Sequence, residues 1–132
     1  MLSAQLLSKE LSSDERTAYL LFKTEQPISF LEGQFMMIHC TKTDGTIKKK
    51  PYSIATPAFL SEGSRIGFLV KQESVEGCSE YLTQSIQEGD SVELRGPVGH
   101  FIDSKRYKNY LFVSTGSGLA PCLSLLQGLQ KS

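Results

Sequence analysis

The chain has no excess of charge, no apolar run of membrane length and no paired-cysteine motif, and each absence removes a class of function. In 132 residues, 14 Lys and Arg balance 14 Asp and Glu. The electrostatic footprint of nucleic-acid or anionic-membrane binding is therefore missing. Lys48-Lys49-Lys50 is the one basic cluster, just after the Asp44-Gly45 turn signal, and it reads as a solvated loop near a hairpin tip. No apolar stretch approaches the length of a membrane span. Met1-Leu2-Ser3-Ala4-Gln5 lacks the basic start and apolar centre of a signal peptide, so the chain reads as soluble and cytoplasmic.

Cysteine usage points the same way. Cys40, Cys78 and Cys122 are widely spaced and form no Cys-x-x-Cys pair. An odd number without framework spacing fits reduced thiols, and zinc or iron–sulfur ligation has no basis in it. His39 and His100 have no neighbouring ligand pattern, and His39 reads as a packed or edge residue in the run Phe35 to Cys40. No metal site is expected, and hydrolytic chemistry has no positive support.

What is present is β-prone sequence cut by turns. Ala4 to Leu11, Arg16 to Lys23, Gln34 to Thr41, the stretch from Tyr52, Ser64 to Lys71, and Val92 to Leu94 read as six strands. Ile66, Phe68 and Val70 alternate, and Gly96-Pro97 reads as the end of the last strand. Six short strands at this spacing predict a mainly β domain, a closed or nearly closed antiparallel Greek-key barrel. Between the fifth and sixth, Gly77 to Ile86 has helical spacing at Tyr81, Leu82 and Ile86. Ser79 is the expected N-cap of this short helix, and Glu80 suits its first turn.

The stretch Lys50-Pro51-Tyr52-Ser53-Ile54-Ala55-Thr56 sets a cation, a rigid ring, a phenol and a hydroxyl side by side. On a strand Tyr52 and Ser53 point to opposite faces. Two readings stand: a buried Tyr and an edge Ser beside a solvated Lys, or a clamp for a flat, phosphate-bearing ligand. Helix starts after Gly77 and after Gly118 offer N–H groups to an anion. The second follows a short apolar strand, Arg106 to Val113, and the turn Ser114 to Pro121, with Leu123, Leu126 and Leu129 beyond. Pro121 occupies the third glycine position of a Gly-x-Gly-x-x-Gly fingerprint, so that motif alone is weak.

Together these motifs resemble the flavin-binding half of the ferredoxin–NADP reductase superfamily. Lys50-Pro51-Tyr52-Ser53 is similar to its Arg-x-Tyr-Ser/Thr motif, and Gly77-Cys78-Ser79 to its phosphate-side Gly-x-x-Ser. Gly96-Pro97-x-Gly99-x-Phe101 is similar to its exit from the barrel. Thr115-Gly116-Ser117-Gly118-Leu119-Ala120-Pro121 resembles the turn that opens its pyridine-nucleotide domain. The resemblance implies FAD rather than FMN, NAD(P)H as co-substrate, and hydride transfer to flavin N5. Electrons would then leave to an acceptor protein or domain such as ferredoxin or flavodoxin.

The resemblance also assigns roles. Tyr52 would pack on the isoalloxazine or ribityl chain, and Ser53 would bond near N5; these two are the expected catalytic pair. Lys50, Pro51 and the N–H groups around Gly77, Cys78 and Ser79 would hold the pyrophosphate side. Val70 would meet the flavin through backbone and Lys71 through its side chain. Thr115, Gly116, Ser117 and Gly118 would line the nicotinamide contact. Two departures are visible: Lys50 replaces the family's Arg, and Glu76 stands three before Ser79 where the family has Gly. Ammonium lacks the guanidinium fork, so looser cofactor binding is expected. A non-catalytic barrel that has lost flavin is the alternative.

The expected division is a flavin barrel over residues 1–104 and the first strand, turn and helix of a nucleotide-binding domain over residues 105–132. One such strand cannot form a parallel sheet, so a piece of a longer reductase is expected. Leu119, Leu123, Leu126 and Leu129 would then form an apolar face, which predicts self-association, docking onto the barrel or disorder.

Overall fold

The computed structural model describes residues 1–42, 44–73, 77–99 and 119–131. Six strands form one antiparallel sheet: β1 (Leu2–Leu11), β2 (Thr17–Thr24), β3 (Phe35–Thr41), β4 (Ile47–Ser53), β5 (Arg65–Lys71) and β6 (Ser91–Val98). Their order across the sheet is β4-β3-β6-β1-β2-β5. The hairpins β1–β2 and β3–β4 stay adjacent, while β6 enters between β3 and β1 and β5 joins β2, a Greek-key order. The sheet curls but its ladder does not close. Edge strands β4 and β5 approach through the single bridge Ile54↔Phe68, with Ala55 N–H donating to Gly67 O at 2.8 Å.

Alternation produces the core. Ala18, Leu20 and Phe22 of β2, Met36, Ile38 and Cys40 of β3, and Ile66, Phe68 and Val70 of β5 all point inward and are buried. Phe22 and Phe68 meet edge to face, centroids 6.0 Å apart, the arrangement their ring quadrupoles favour. One end of the curled sheet is plugged by a helical segment, α1 (Cys78–Glu80), continuing as a π-turn over Tyr81–Ser85. Cys78, Leu82 and Ile86 of this segment join the core. Lys9 Nζ donates to Ile86 O at 2.8 Å, tying β1 to the end of the plug.

Several expectations are corrected. Lys48, Lys49 and Lys50 lie within β4 rather than in a loop, and Tyr52 is near its end rather than its start. The physical reason is pairing: Cys40↔Lys48, Ile38↔Lys50 and Met36↔Tyr52 register along β3. An edge strand carries exposed lysines and a Pro51 without losing a second ladder. Strand β6 runs through Gly96-Pro97 to Val98. Gly96 takes φ +133° where the β3–β6 register shifts, a conformation that suits glycine. Ser79 is not the N-cap. Gly77 is, in extended conformation, and the buried Ser79 Oγ accepts from Glu73 N–H at 3.1 Å. A 3-10 turn at Ala58–Gly63 has no counterpart in the sequence patterning.

The C-terminal helix α2 (Leu119–Lys131) is present, while the strand expected at Arg106 to Val113 and the 104/105 boundary lie outside the described residues. The helix docks on the barrel by a different face from the leucine stripe. Ala120, Cys122, Ser124 and Leu125 are buried, whereas Leu119 and Leu126 are exposed and Leu123 and Leu129 half-buried. Small residues decide this. Ser124 Oγ donates to the buried Thr56 carbonyl at 2.6 Å, and a Cβ at Gly128 would come within 2.5 Å of Glu32 Oε1. Ser124→Ala should therefore lower stability by about 1–3 kcal/mol, because it strands a buried carbonyl; a urea midpoint unchanged from the parent would contradict the docking geometry. Among the described residues, no helix is long and apolar enough to cross a membrane.

Candidate functional site

The gap between the edge strands is where the motif residues gather. Lys50, Pro51, Tyr52 and Ser53 from the end of β4 face Leu69 and Lys71 from β5, with Glu73 beyond, around a cavity of about 280 Å³. Its position follows from topology, because the two edge strands of the sheet meet here without forming a ladder. The size is that of a segment of an extended ligand, at the lower edge of small-molecule sites. A larger cavity of about 450 Å³ lies elsewhere, among Met1, Glu25 to Ser29 and Arg95 to Pro97, and includes none of the motif residues.

Register sorts the side chains. Lys50 and Tyr52 share the face of Ile38 and Met36, and Ser53 shares the opposite face with Phe35. Lys50 and Lys71 are exposed, so their ammonium groups flank the cavity in water. Tyr52 packs against the core with its ring, yet its Oη is buried with no hydrogen-bond partner among the described residues. Burial, with the Cys78 and Cys40 sulfurs beside it, pushes the phenol well above its ordinary range, so it stays protonated. A buried hydroxyl left unpaired is costly. The cavity wall offers Tyr52 and, beside it, Ser53, and the two flanking cations suit phosphate. The residues present therefore fit a flavin nucleotide.

Beneath the cavity the phosphate-side motif meets the clamp. Cys78 Sγ lies 2.7 Å from Cys40 Sγ, both buried. The contact with Cys40, the Tyr52 phenol beside it and, least, the Lys50 charge hold the Cys78 thiol below its usual range while Cys40 is pushed up. Lys50, Tyr52 and Cys78, distant in sequence, thus occupy one neighbourhood. Gly77 is half-buried at the helix start, and Ser79 is buried with its hydroxyl committed to the loop before it.

Other expected residues are placed less directly. Val70 points into the core and is fully buried, so only its backbone reaches toward the edge. Thr115, Gly116, Ser117 and Gly118 lie outside the described residues, as do Glu76, His100 and Phe101. Leu69, Glu73 and Cys40 were not singled out by sequence reasoning. Period-two alternation back from Lys71 would have found Leu69, and inward alternation from Ile38 would have found Cys40 as a core residue, but not its partner. Among the described residues, no three His, Cys, Asp or Glu side chains converge on a metal position.

The comparisons agree with this geometry. Residues 3–102 match the family described as the oxidoreductase FAD-binding domain. A flavohemoprotein of Pseudomonas aeruginosa is 30% identical over 121 residues, covering 90% of this chain and 30% of that protein. The ferredoxin–NAD(P)(+) reductase component of the naphthalene 1,2-dioxygenase system of Pseudomonas putida is 29% identical, covering 86% of this chain and 33% of that protein. The solved structure of phthalate dioxygenase reductase superposes with a TM-score of 0.79 at 25% identity, covering 98% of this chain and 39% of that one. The chain belongs to the oxidoreductase FAD-binding domain family, the flavin barrel of ferredoxin–NADP reductase-like proteins. It spans about a third of the length of these relatives.

Proposed function

We propose that this chain is the FAD-binding part of an NAD(P)H-dependent reductase that passes electrons to a protein acceptor. The observation that carries the reading is the cavity at the β4–β5 gap, lined by Lys50, Pro51, Tyr52 and Ser53 from one edge strand and by Lys71 from the other. Bound FAD would supply the two-electron redox chemistry. The chain's own residues hold and orient it. The Tyr52 ring offers an apolar surface for the flavin or its ribityl chain, and the Ser53 hydroxyl, on the opposite face of β4, is the hydrogen-bonding group assigned to N5. Lys50 neutralises pyrophosphate as a point charge, helped by Lys71 and by N–H groups around Gly77, Cys78 and Ser79. Glu73 at the rim discourages a second phosphate on that side.

Hydride from NAD(P)H and an iron–sulfur or ferredoxin-type acceptor extend this reading. Their support is the company the chain keeps: a ferredoxin–NAD(P)(+) reductase component and a structure described as transferring electrons from pyridine nucleotides to [2Fe-2S]. The turn Thr115 to Gly118 is the proposed nicotinamide side.

The test is retention of flavin. Purified protein incubated with FAD and desalted should keep visible flavin absorbance. Lys50→Glu should weaken FAD several-fold at low ionic strength and less at high salt, where exposed charges are screened. Absence of retention at high FAD would sink the reading and leave the barrel as a structural or interaction module.

A further inference from the structure

We propose that Cys40 and Cys78 form a redox modification site, a dithiol that closes to an intramolecular disulfide when a small hydroperoxide reaches it. The two residues are 38 positions apart in sequence, yet their sulfurs lie 2.7 Å from one another. That is within about 1 Å of a disulfide bond length of about 2.05 Å. Cys40 is the last inward residue of β3 and Cys78 the first residue of α1, so both belong to elements already packed together. A pair of cysteines serving only as small core fillers needs no such approach, because each sulfur has other apolar neighbours to pack on.

The surroundings select the nucleophile. The exposed Lys50 of β4, on the face that carries Ile38 and Tyr52, acts on Cys78 through its charge. The Cys40 and Tyr52 contacts and the Lys50 charge favour thiolate at Cys78 and outweigh the long, 3.8 Å contact from its sulfur to the Ile38 carbonyl. That thiolate attacks one peroxide oxygen. The O–O bond breaks, giving Cys78 sulfenic acid and, after protonation, water or an alcohol. Cys40 then loses its proton and its sulfur attacks Cys78. The S–O bond breaks, water leaves and the S–S bond forms. Two thiols are oxidised by two electrons and one hydroperoxide is reduced. Burial restricts the oxidant: Cys40 is 0% and Cys78 2% exposed, which shuts out glutathione disulfide and leaves hydrogen peroxide, admitted by local opening, as the oxidant proposed. Cys122, on α2, is the internal control.

The test uses the whole chain without flavin, so it is independent of the cofactor reading. Protein is reduced, desalted, exposed to hydrogen peroxide, denatured and alkylated, then weighed intact and mapped by peptides. The expected result is a chain about 2 Da lighter before alkylation. It takes up label at Cys122 alone, with a Cys40–Cys78 cross-linked peptide that dithiothreitol removes. The oxidised chain should melt roughly 5–15 °C higher, since a loop of this length is closed in the unfolded state. Cys40→Ser should stop Cys78 at the sulfenic acid, trapped by dimedone. Three alkylated thiols after peroxide, sulfinic acid at Cys78 with no cross-link, or a cross-link through Cys122 would each overturn the proposal. Oxidation by glutathione disulfide as fast as by peroxide would overturn the choice of oxidant.

Discussion

Phe68→Ala should destabilise the domain by about 3–5 kcal/mol, the cost of removing a fully buried aromatic and leaving a cavity. Phe68 is 0% exposed, meets Phe22 edge to face, and sits in β5 where that strand bridges to Ile54, just past β4. Truncation thus removes core volume at the place where the open sheet comes nearest to closing. Against a total stability of about 5–15 kcal/mol, this is a large fraction. The melting temperature should fall by roughly 10–20 °C. Leu31→Ala, at a side chain 55% exposed, should change stability by less than about 0.5 kcal/mol. Equal urea midpoints for the two variants would show that Phe68 is not the core residue its burial implies.

Tyr52 should separate folding from binding. In the flavin-free protein its ring packs on the core while its hydroxyl has no partner among the described residues. Tyr52→Phe keeps the ring and removes the orphan, so the apo domain should be unchanged or more stable by about 1 kcal/mol. The same variant should bind FAD several-fold more weakly if the hydroxyl meets the cofactor. Tyr52→Ala should lose about 10- to 100-fold in FAD affinity, because the aromatic surface goes as well. Titration by flavin fluorescence and thermal melts of the same samples give both readouts. A Tyr52→Phe protein that is less stable without flavin, and binds FAD as the parent does, would place the hydroxyl in the fold rather than in the site.

The pH dependence carries the same logic. Burial raises the phenols of Tyr19, Tyr52 and Tyr81 above the ordinary 10.0. A group whose folded value is raised contributes fully below its unfolded value and loses that contribution as pH climbs past it. Apo stability should therefore fall above pH 10, and less steeply in Tyr52→Phe.

Strand identity was legible from local pattern, because inward residues repeat every two positions and turns carry Gly, Pro, Asp and Ser. The clamp Lys50-Pro51-Tyr52-Ser53 was legible too, since its residue types are chemically distinctive. Strand limits were less so. The lysine run looks like a loop when its own polarity is the only guide, but an edge strand tolerates exposed cations on both faces once β3 supplies a full partner. The end of β6 was hidden similarly, because a register shift accommodates the Gly-Pro pair that would otherwise stop a strand.

What the amino-acid order determined by itself is the set of elements and the chemistry each carries, because side-chain alternation and turn residues act over a few positions. What only the tertiary structure decided is which of them meet. The pairing order leaves the β4–β5 gap unladdered and so creates the cavity. It also sets Cys40 against Cys78 and docks α2 by Ser124, with Ala120, Cys122 and Leu125, rather than by the stripe that holds Leu119 and Leu126. These are contacts across tens of residues, fixed by hydrogen-bond register and close packing, and no local pattern contains them.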